Sequence, residues 1–366
     1  MASLRSGGLV VLASLMVSSC LRTVSEAPLQ LPKEMMRGVC YAHTYRGDGY
    51  GSEGSHRQLV ELSQLGADWI SITPFGFVPS AAEGEVLHVD ALMARAEAKA
   101  SFEKNQASPE TDDLVRAEIR KHKALGLKTQ LKPHLWMLDN SWRGKIARDD
   151  AGWKQFFASY RGWILHYAEM AEREGVQMLV VGVELDQTVE RFEETWRALI
   201  AEVRERFSGT LTYAANWDAY TRVPFWDAVD YVGVQFYPPL AQSPEDSESE
   251  MKLRLARALD GLDRVHLATK KIVLLTEVGY RAVAGTAVSP HTWPDPNART
   301  VDEAAQAQAY RVLFAGLRGR ASVGGVFLWK WYTDPAGDEG PAGFAPRGYA
   351  AEKLWAKAFG GAVPSR

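Results

Sequence analysis

The chain has 366 residues, 46% of them hydrophobic and 24% charged, with a formal net charge of -3. Such a composition suits one large globular domain or two ordinary ones, whose core needs no disulfide support. Near-neutral charge without a basic stripe argues against a nucleic-acid partner.

The first elements in chain order are targeting signals. Arg5 precedes an apolar run over 7–17, too short to span a bilayer. Ser18 and Ser19 then lead into Cys20. This order predicts a lipoprotein-type signal peptide over 1–20, with Cys20 as the lipidated residue. Plain secretion and a cytoplasmic chain are the alternatives. Under the first reading the protein is exported and held to the cell envelope only through the Cys20 lipid. Cys40 would then be a lone buried thiol. Residues 21–34 are polar, contain Pro28 and Pro32, and are expected to be a tether.

From residue 35 to 366 short β-rich runs alternate with helical patterns. The expected strands are 37–43, 68–73, 128–134, 178–184, 210–216, 231–237, 271–277 and 325–330. The expected helices include 57–65, 112–125, 153–174, 189–207, 251–267, 304–317 and 349–359. Only a short helix fits near 224–230. The acidic stretch 244–250 is expected to be a solvated loop. Eight strand–helix repeats point to an α/β chain folded as a single (β/α)8 TIM barrel. An open doubly wound sheet is the rival, but the turn after the first strand lacks the phosphate-binding glycine fingerprint. Turns into strands are short, while the exits 44–55, 74–110, 281–299 and 332–347 are long. The long loops should therefore crown the C-terminal face of the barrel, where active sites of this fold lie.

Two strand ends carry the chemistry. The apolar strand 178–183 ends in Glu184, and 271–276 ends in Glu277. A carboxylate is costly to bury alone, so one at each of two core strand ends needs explaining. By order these are strands four and seven, which face each other across an eight-stranded mouth. Glycosidic cleavage uses two fixed carboxyl groups, one donating a proton and one remaining ionised. The bland alternative is that each glutamate serves a structural ion pair. Twelve tryptophans fit both a large core and the binding of apolar sugar faces.

Several short pieces stand at corresponding places in the repeat: Ile72-Thr-Pro-Phe-Gly76, Leu131-Lys-Pro-His134, Gly182-Val-Glu-Leu185, Leu275-Thr-Glu-Val-Gly-Tyr280, Trp329-Lys-Trp331 and Gly343-Phe-Ala-Pro-Arg-Gly348. Together they resemble the clan of retaining (β/α)8 glycosidases with glutamates on strands four and seven. Within it the chain is most similar to glycoside hydrolase family 113, the β-1,4-mannanase type, over residues 38–359. The resemblance implies Glu184 as acid/base, Glu277 as nucleophile and a β-linked polysaccharide or oligosaccharide as substrate, most readily mannan or glucomannan. It implies no metal and no organic cofactor, and a monomer is expected. Much of the clan has Asn before the acid/base to hold the sugar 2-OH, whereas Val183 stands here. Asn216 is the candidate for that contact. Tyr237 is expected to hydrogen-bond the nucleophile. His134, beside Lys132, would bond a sugar hydroxyl or tune Glu184. Trp329 or Trp331 would floor the sugar site, with Trp136, Trp217 and Trp293 lining flanking subsites.

Competing readings are also legible. A metal-dependent barrel hydrolase would show His-x-His on the first strand, but His43 stands alone and the eight histidines show no ligand spacing. A non-catalytic sugar-binding barrel and a glycosidase of another β-glycan are the others. Lys330 and Arg347 would suit an acidic sugar.

Overall fold

The computed structural model describes residues 29–293, 295 and 297–365. Cys20 and the whole signal segment lie outside the described residues. Eight parallel strands close on themselves: β1 (Met36–Ala42), β2 (Trp69–Ile72), β4 (Lys128–Leu131), β6 (Met178–Val183), β7 (Thr210–Asn216), β8 (Tyr231–Gln235), β9 (Val273–Val278) and β10 (Val323–Tyr332). Each expected strand is present, and β10 pairs back onto β1 to complete the barrel. The principal helices form the outer layer: α1 (Glu53–Gln64), α4 (Asp112–Ala124), α5 (Asp150–Glu174), α7 (Glu193–Arg204), α8 (Glu248–Thr269), α9 (Glu303–Leu317) and α10 (Ala350–Phe359).

The strands form where the pattern demands burial on both faces. All six residues of β6, Met-Leu-Val-Val-Gly-Val, are buried, as expected of a parallel strand between a filled barrel and a helical coat. Gly182 lets this strand meet its coat, because a Cβ there would lie 2.7 Å from the Trp196 ring on α7. Helix α5 stops at Gly175, whose φ of +70° is the left-handed conformation that suits glycine.

Three expectations change. Residues 29–34 do not act as a free tether: Leu29 and Leu31 are buried, and the Leu31 N–H donates to Ala358 O at 2.9 Å. The apolar side chains of this stretch gain more from packing beside α10 than from staying in water. The acidic stretch 244–250 is no plain loop. Ser247 caps α8 and Glu250 returns the bond to the Ser247 backbone, a capping box that uses the acidic residues at a helix start. The exits of the second and third barrel strands hold a small parallel sheet of β3 (Phe75–Val78) and β5 (His134–Met137), with α2 (Val89–Met93) and α3 (Ala96–Lys104) beyond it. Among the described residues no helix is long and apolar enough to cross a membrane.

Candidate active site at the barrel mouth

Glu277 is the fifth residue of β9 and is 5% exposed. Its Oε1 accepts from Lys132 Nζ at 2.5 Å, and its Oε2 accepts from the Tyr237 hydroxyl at 3.1 Å. His134 Nε2 lies 3.4 Å from Oε1. Burial alone would raise the carboxyl pKa. The Lys132 ammonium, followed by His134, outweighs it and holds Glu277 well below the usual carboxylate range. Lys132 is itself fully buried and also donates to Thr276 O at 3.0 Å. Its ammonium stands 3.5 Å from Cys40 Sγ. Burial pushes the Cys40 thiol up to about 12, so it packs as the expected small apolar group. Burial and the adjoining Glu277 keep the Tyr237 phenol protonated as a donor.

Glu184 follows the last residue of β6, on the facing side of the barrel. Its backbone turns into the left-handed region at φ +52°, held by its own N–H donating to Ala214 O at 2.9 Å and by the next N–H, of Leu185, donating to the Tyr213 hydroxyl at 2.8 Å. A non-glycine residue there costs on the order of 1 kcal/mol, which these bonds offset. Trp142 Nε1 donates to Glu184 Oε2 at 3.1 Å, and Arg143 Nη2 lies 3.3 Å from the same oxygen. Asp186, two residues on, is raised to about 6 by partial burial and then by the charge of Glu184.

His134 links the two halves. Burial drives its pKa down to about 3, with the Arg143 charge adding to the effect, so the imidazole is neutral. That assigns Nε2–H towards Glu277 and leaves Nδ1 to face Arg143 Nη2 at 3.5 Å. His134 therefore stands directly beside Glu277, and its path to Glu184 runs through Arg143. It follows β4, which neighbours the Glu184 strand β6, yet its Nε2 faces Glu277 Oε1 across the mouth.

The aromatic residues divide. Trp329 lies under the mouth, nearly parallel to the His134 ring (13°) at 6.3 Å, with Lys132 and Lys330 ammonium groups 5.5 and 4.7 Å from its centroid. Gly279 makes room for it, since a Cβ there would stand 2.2 Å from Trp329 O. The Trp329–Lys330 peptide is cis. Trp331 is not part of the mouth. It is buried among the helices, donating from Nε1 to Gln58 Oε1 at 2.9 Å and packing on Trp355. The β1–β10 register slips between Cys40 and Tyr41, pairing Cys40 with Trp329 and Tyr41 with Trp331, so the two indoles do not share a face. Trp136 and Trp293 are 38% and 57% exposed and meet edge to face at 6.2 Å, an open aromatic wall. Trp217 is half-buried, 6.4 Å from the His291 ring. Asn216 ends β7 with its carboxamide oxygen accepting the Trp217 N–H at 2.9 Å, so its amide N–H groups and the second lone pair of that oxygen can face a ligand.

Lys330 and Arg347 have partners already. Lys330 binds Glu339 at 2.6 Å, and Arg347 makes a two-point pair with Glu61 on α1. The sequence pattern gives no signal for Trp142 and Arg143. They sit in a loop and a short 3-10 turn with no periodicity to betray them.

Comparison with known proteins places this arrangement. Residues 39–343 match the model of Glycoside Hydrolase Family 113. A solved family 113 β-1,4-mannanase, in a complex structure, is 25% identical with a TM-score of 0.74, covering 89% of this chain and 99% of its own. The β-mannanase of Alicyclobacillus acidocaldarius is 25% identical with a TM-score of 0.75, covering 91% and 99%. A β-glucuronidase of Ruminococcus gnavus shares the barrel at 12% identity and a TM-score of 0.57, covering 89% of this chain and 49% of its own. No curated protein matches by sequence. With two glutamates at the ends of facing barrel strands and a family match over most of its length, the chain belongs to glycoside hydrolase family 113 and is a glycoside hydrolase.

Proposed function

We propose that the protein hydrolyses β-1,4-linked mannan or glucomannan with retention of configuration. Glu277 is the nucleophile and Glu184 the acid/base. The observation that carries this reading is the unequal setting of the two carboxylates. Glu277 is buried and held ionised by Lys132, with both oxygens fixed. A carboxylate so held is aimed and charged for attack on an anomeric carbon, and it is poorly suited to donating a proton. Glu184 is less enclosed and bonded through one oxygen, Oε2. In the first step Glu277 attacks while Glu184 gives its proton to the leaving oxygen. Arg143 then partners the carboxylate that Glu184 has become. In the second step Glu184 takes a proton from water, whose oxygen displaces Glu277. Mannan is favoured because the β-mannanase neighbours match over nearly their full length. An acidic sugar is disfavoured, because Lys330 and Arg347 are already neutralised.

The test is sugar release from glucomannan, galactomannan, xylan, mixed-linkage β-glucan and galactan, with proton NMR of the first-formed anomer. Release from the mannans as the β-anomer is expected. Release as the α-anomer would refute retention, and release from another polymer alone would refute the substrate. Binding without turnover across the panel would favour a sugar-binding role.

Glu184→Ala tests the acid/base directly. On aryl glycosides with a good leaving group, the first step needs little protonation and the glycosyl-enzyme should accumulate. Azide should then raise turnover at least about tenfold and yield a β-glycosyl azide. Absence of both rescue and azide product would remove Glu184 from that role.

A further inference from the structure

We propose that His88, Asp112 and His166 form a binding site for a divalent transition-metal ion of the zinc class, on the helical shell and separate from the glutamate pair. The three residues come from different segments. His88 precedes α2 in the exit loop of the second barrel strand, Asp112 opens α4, and His166 lies on α5. His88 Nε2 is 3.0 Å from Asp112 Oδ1, and His166 Nε2 is 2.7 Å from Asp112 Oδ2. One ligand atom from each residue lies within 4.8 Å of the others. The two imidazoles are 4.9 Å apart and inclined at 71°, so they approach the carboxylate from different directions.

A hydrogen-bonded cluster is the simpler account, and it explains only half of the geometry. His88 makes a well-formed bond to Asp112. His166 Nε2 is buried and has no partner in hydrogen-bonding geometry, despite its closeness to Oδ2. A 2.7 Å approach without that geometry suits coordination of a shared ion. Nitrogen and oxygen ligands of tetrahedral zinc sit about 2.0–2.2 Å from the metal, hence roughly 3.3 Å from one another. The two histidine–carboxylate distances lie within an ångström of that separation, and all three ligand atoms lie within 4.8 Å of one another.

The surroundings fit a metal ligand set. His88 Nδ1 stands 3.5 Å from Asp90 Oδ2. With Nε2 on a metal, the ring proton moves to Nδ1 and faces that carboxylate, the usual outer partner of a ligating histidine. The Asp90 N–H bond to Nδ1, 3.2 Å long, is given up in exchange. Arg116 also contacts Asp112 Oδ2, at 3.2 Å, but its other arm holds Asp113 at 3.0 Å. Ligation through Asp112 Oδ1 leaves the guanidinium paired. Two imidazoles and one carboxylate favour zinc, nickel or copper over calcium or magnesium, and they leave a position for water. Such an ion would tie the 79–110 segment to α4 and α5. That segment backs the small sheet through the Phe77–Leu87 bridge, and the sheet carries Trp136. The expected consequence is stiffening of one wall above the mouth.

The test is titration of the chelator-treated, dialysed chain with zinc sulfate by calorimetry, and with Co(II) by visible absorption. We expect one ion per chain, a Kd of micromolar or tighter, a tetrahedral Co(II) band and a rise in Tm with zinc. His166→Ala, which removes a partly exposed side chain, should weaken binding at least about tenfold and abolish the Co(II) band. It should keep the metal-free Tm. His88→Ala should weaken binding likewise, with a lower metal-free Tm because its bonds to Asp112 and the Asp90 N–H are lost. Absence of a stoichiometric site, or wild-type affinity in both histidine variants, would overturn the proposal. The outcome is independent of glycan turnover, which should proceed in the chelator.

Discussion

Glu277→Gln should lower turnover on mannan by on the order of 10⁴- to 10⁶-fold, the range seen when a nucleophile is removed from a working constellation. The substitution preserves shape but removes the charge that forms the glycosyl-enzyme. It also strips Lys132 of its anion. Lys132 is fully buried, with Thr276 O as its remaining oxygen partner and Cys40 Sγ beside it. Leaving a buried charge without its partner typically costs about 3–5 kcal/mol. A lower Tm is therefore expected together with the loss of activity, and the loss must be shown on folded protein. Circular dichroism and binding of a manno-oligosaccharide provide that control. A folded variant that binds the sugar and retains more than a tenth of the turnover would end the assignment of Glu277 as nucleophile.

The barrel was legible because both-sided burial writes itself into parallel strands. Runs such as 178–183 and 273–276 have no polar residue facing solvent, so a terminal glutamate stands out. The same reasoning applied to Lys132 would have found the countercharge. It ends another buried run, and a lysine there requires an anion as surely as a glutamate requires a cation. Tyr237 follows the sixth strand and donates to Glu277, a contact the order of strand ends makes legible. Trp142 and Arg143 were not legible, since their position depends on the fold of a long loop. The choice between Trp329 and Trp331 was not legible, since regular alternation puts residues two apart on one face and one register slip against β1 undoes that rule. His88, Asp112 and His166 are scattered along the chain without ligand spacing. Only the packing of α4 against α5 and the exit loop brings them together.

Lys132→Met carries the second large effect, and pH is its readout. In the native protein Glu277 has a depressed pKa, with Lys132 as the main lowering influence against burial. A depressed carboxyl contributes stability that is fully present above its unfolded value of about 4.3 and is lost as pH falls through the folded one. Removing the ammonium leaves burial as the dominant influence, so the folded pKa of Glu277 rises above the unfolded value. The sign of the linkage then reverses: the variant loses stability as pH rises through the unfolded pKa towards the new folded one. At neutral pH it should be less stable than wild type by about 3–5 kcal/mol. The Tm gap should narrow on acidification, where the variant's carboxyl binds its proton. His134 cannot substitute without protonating, and burial holds it near 3 while Lys132 is present. The acid limb of kcat/KM should move up by at least one pH unit, because attack needs ionised Glu277. A methionine variant that is folded, loses activity and keeps the wild-type acid limb would show that Lys132 positions the carboxylate without holding it ionised. Wild-type activity and an unmoved limb would remove Lys132 from the site altogether.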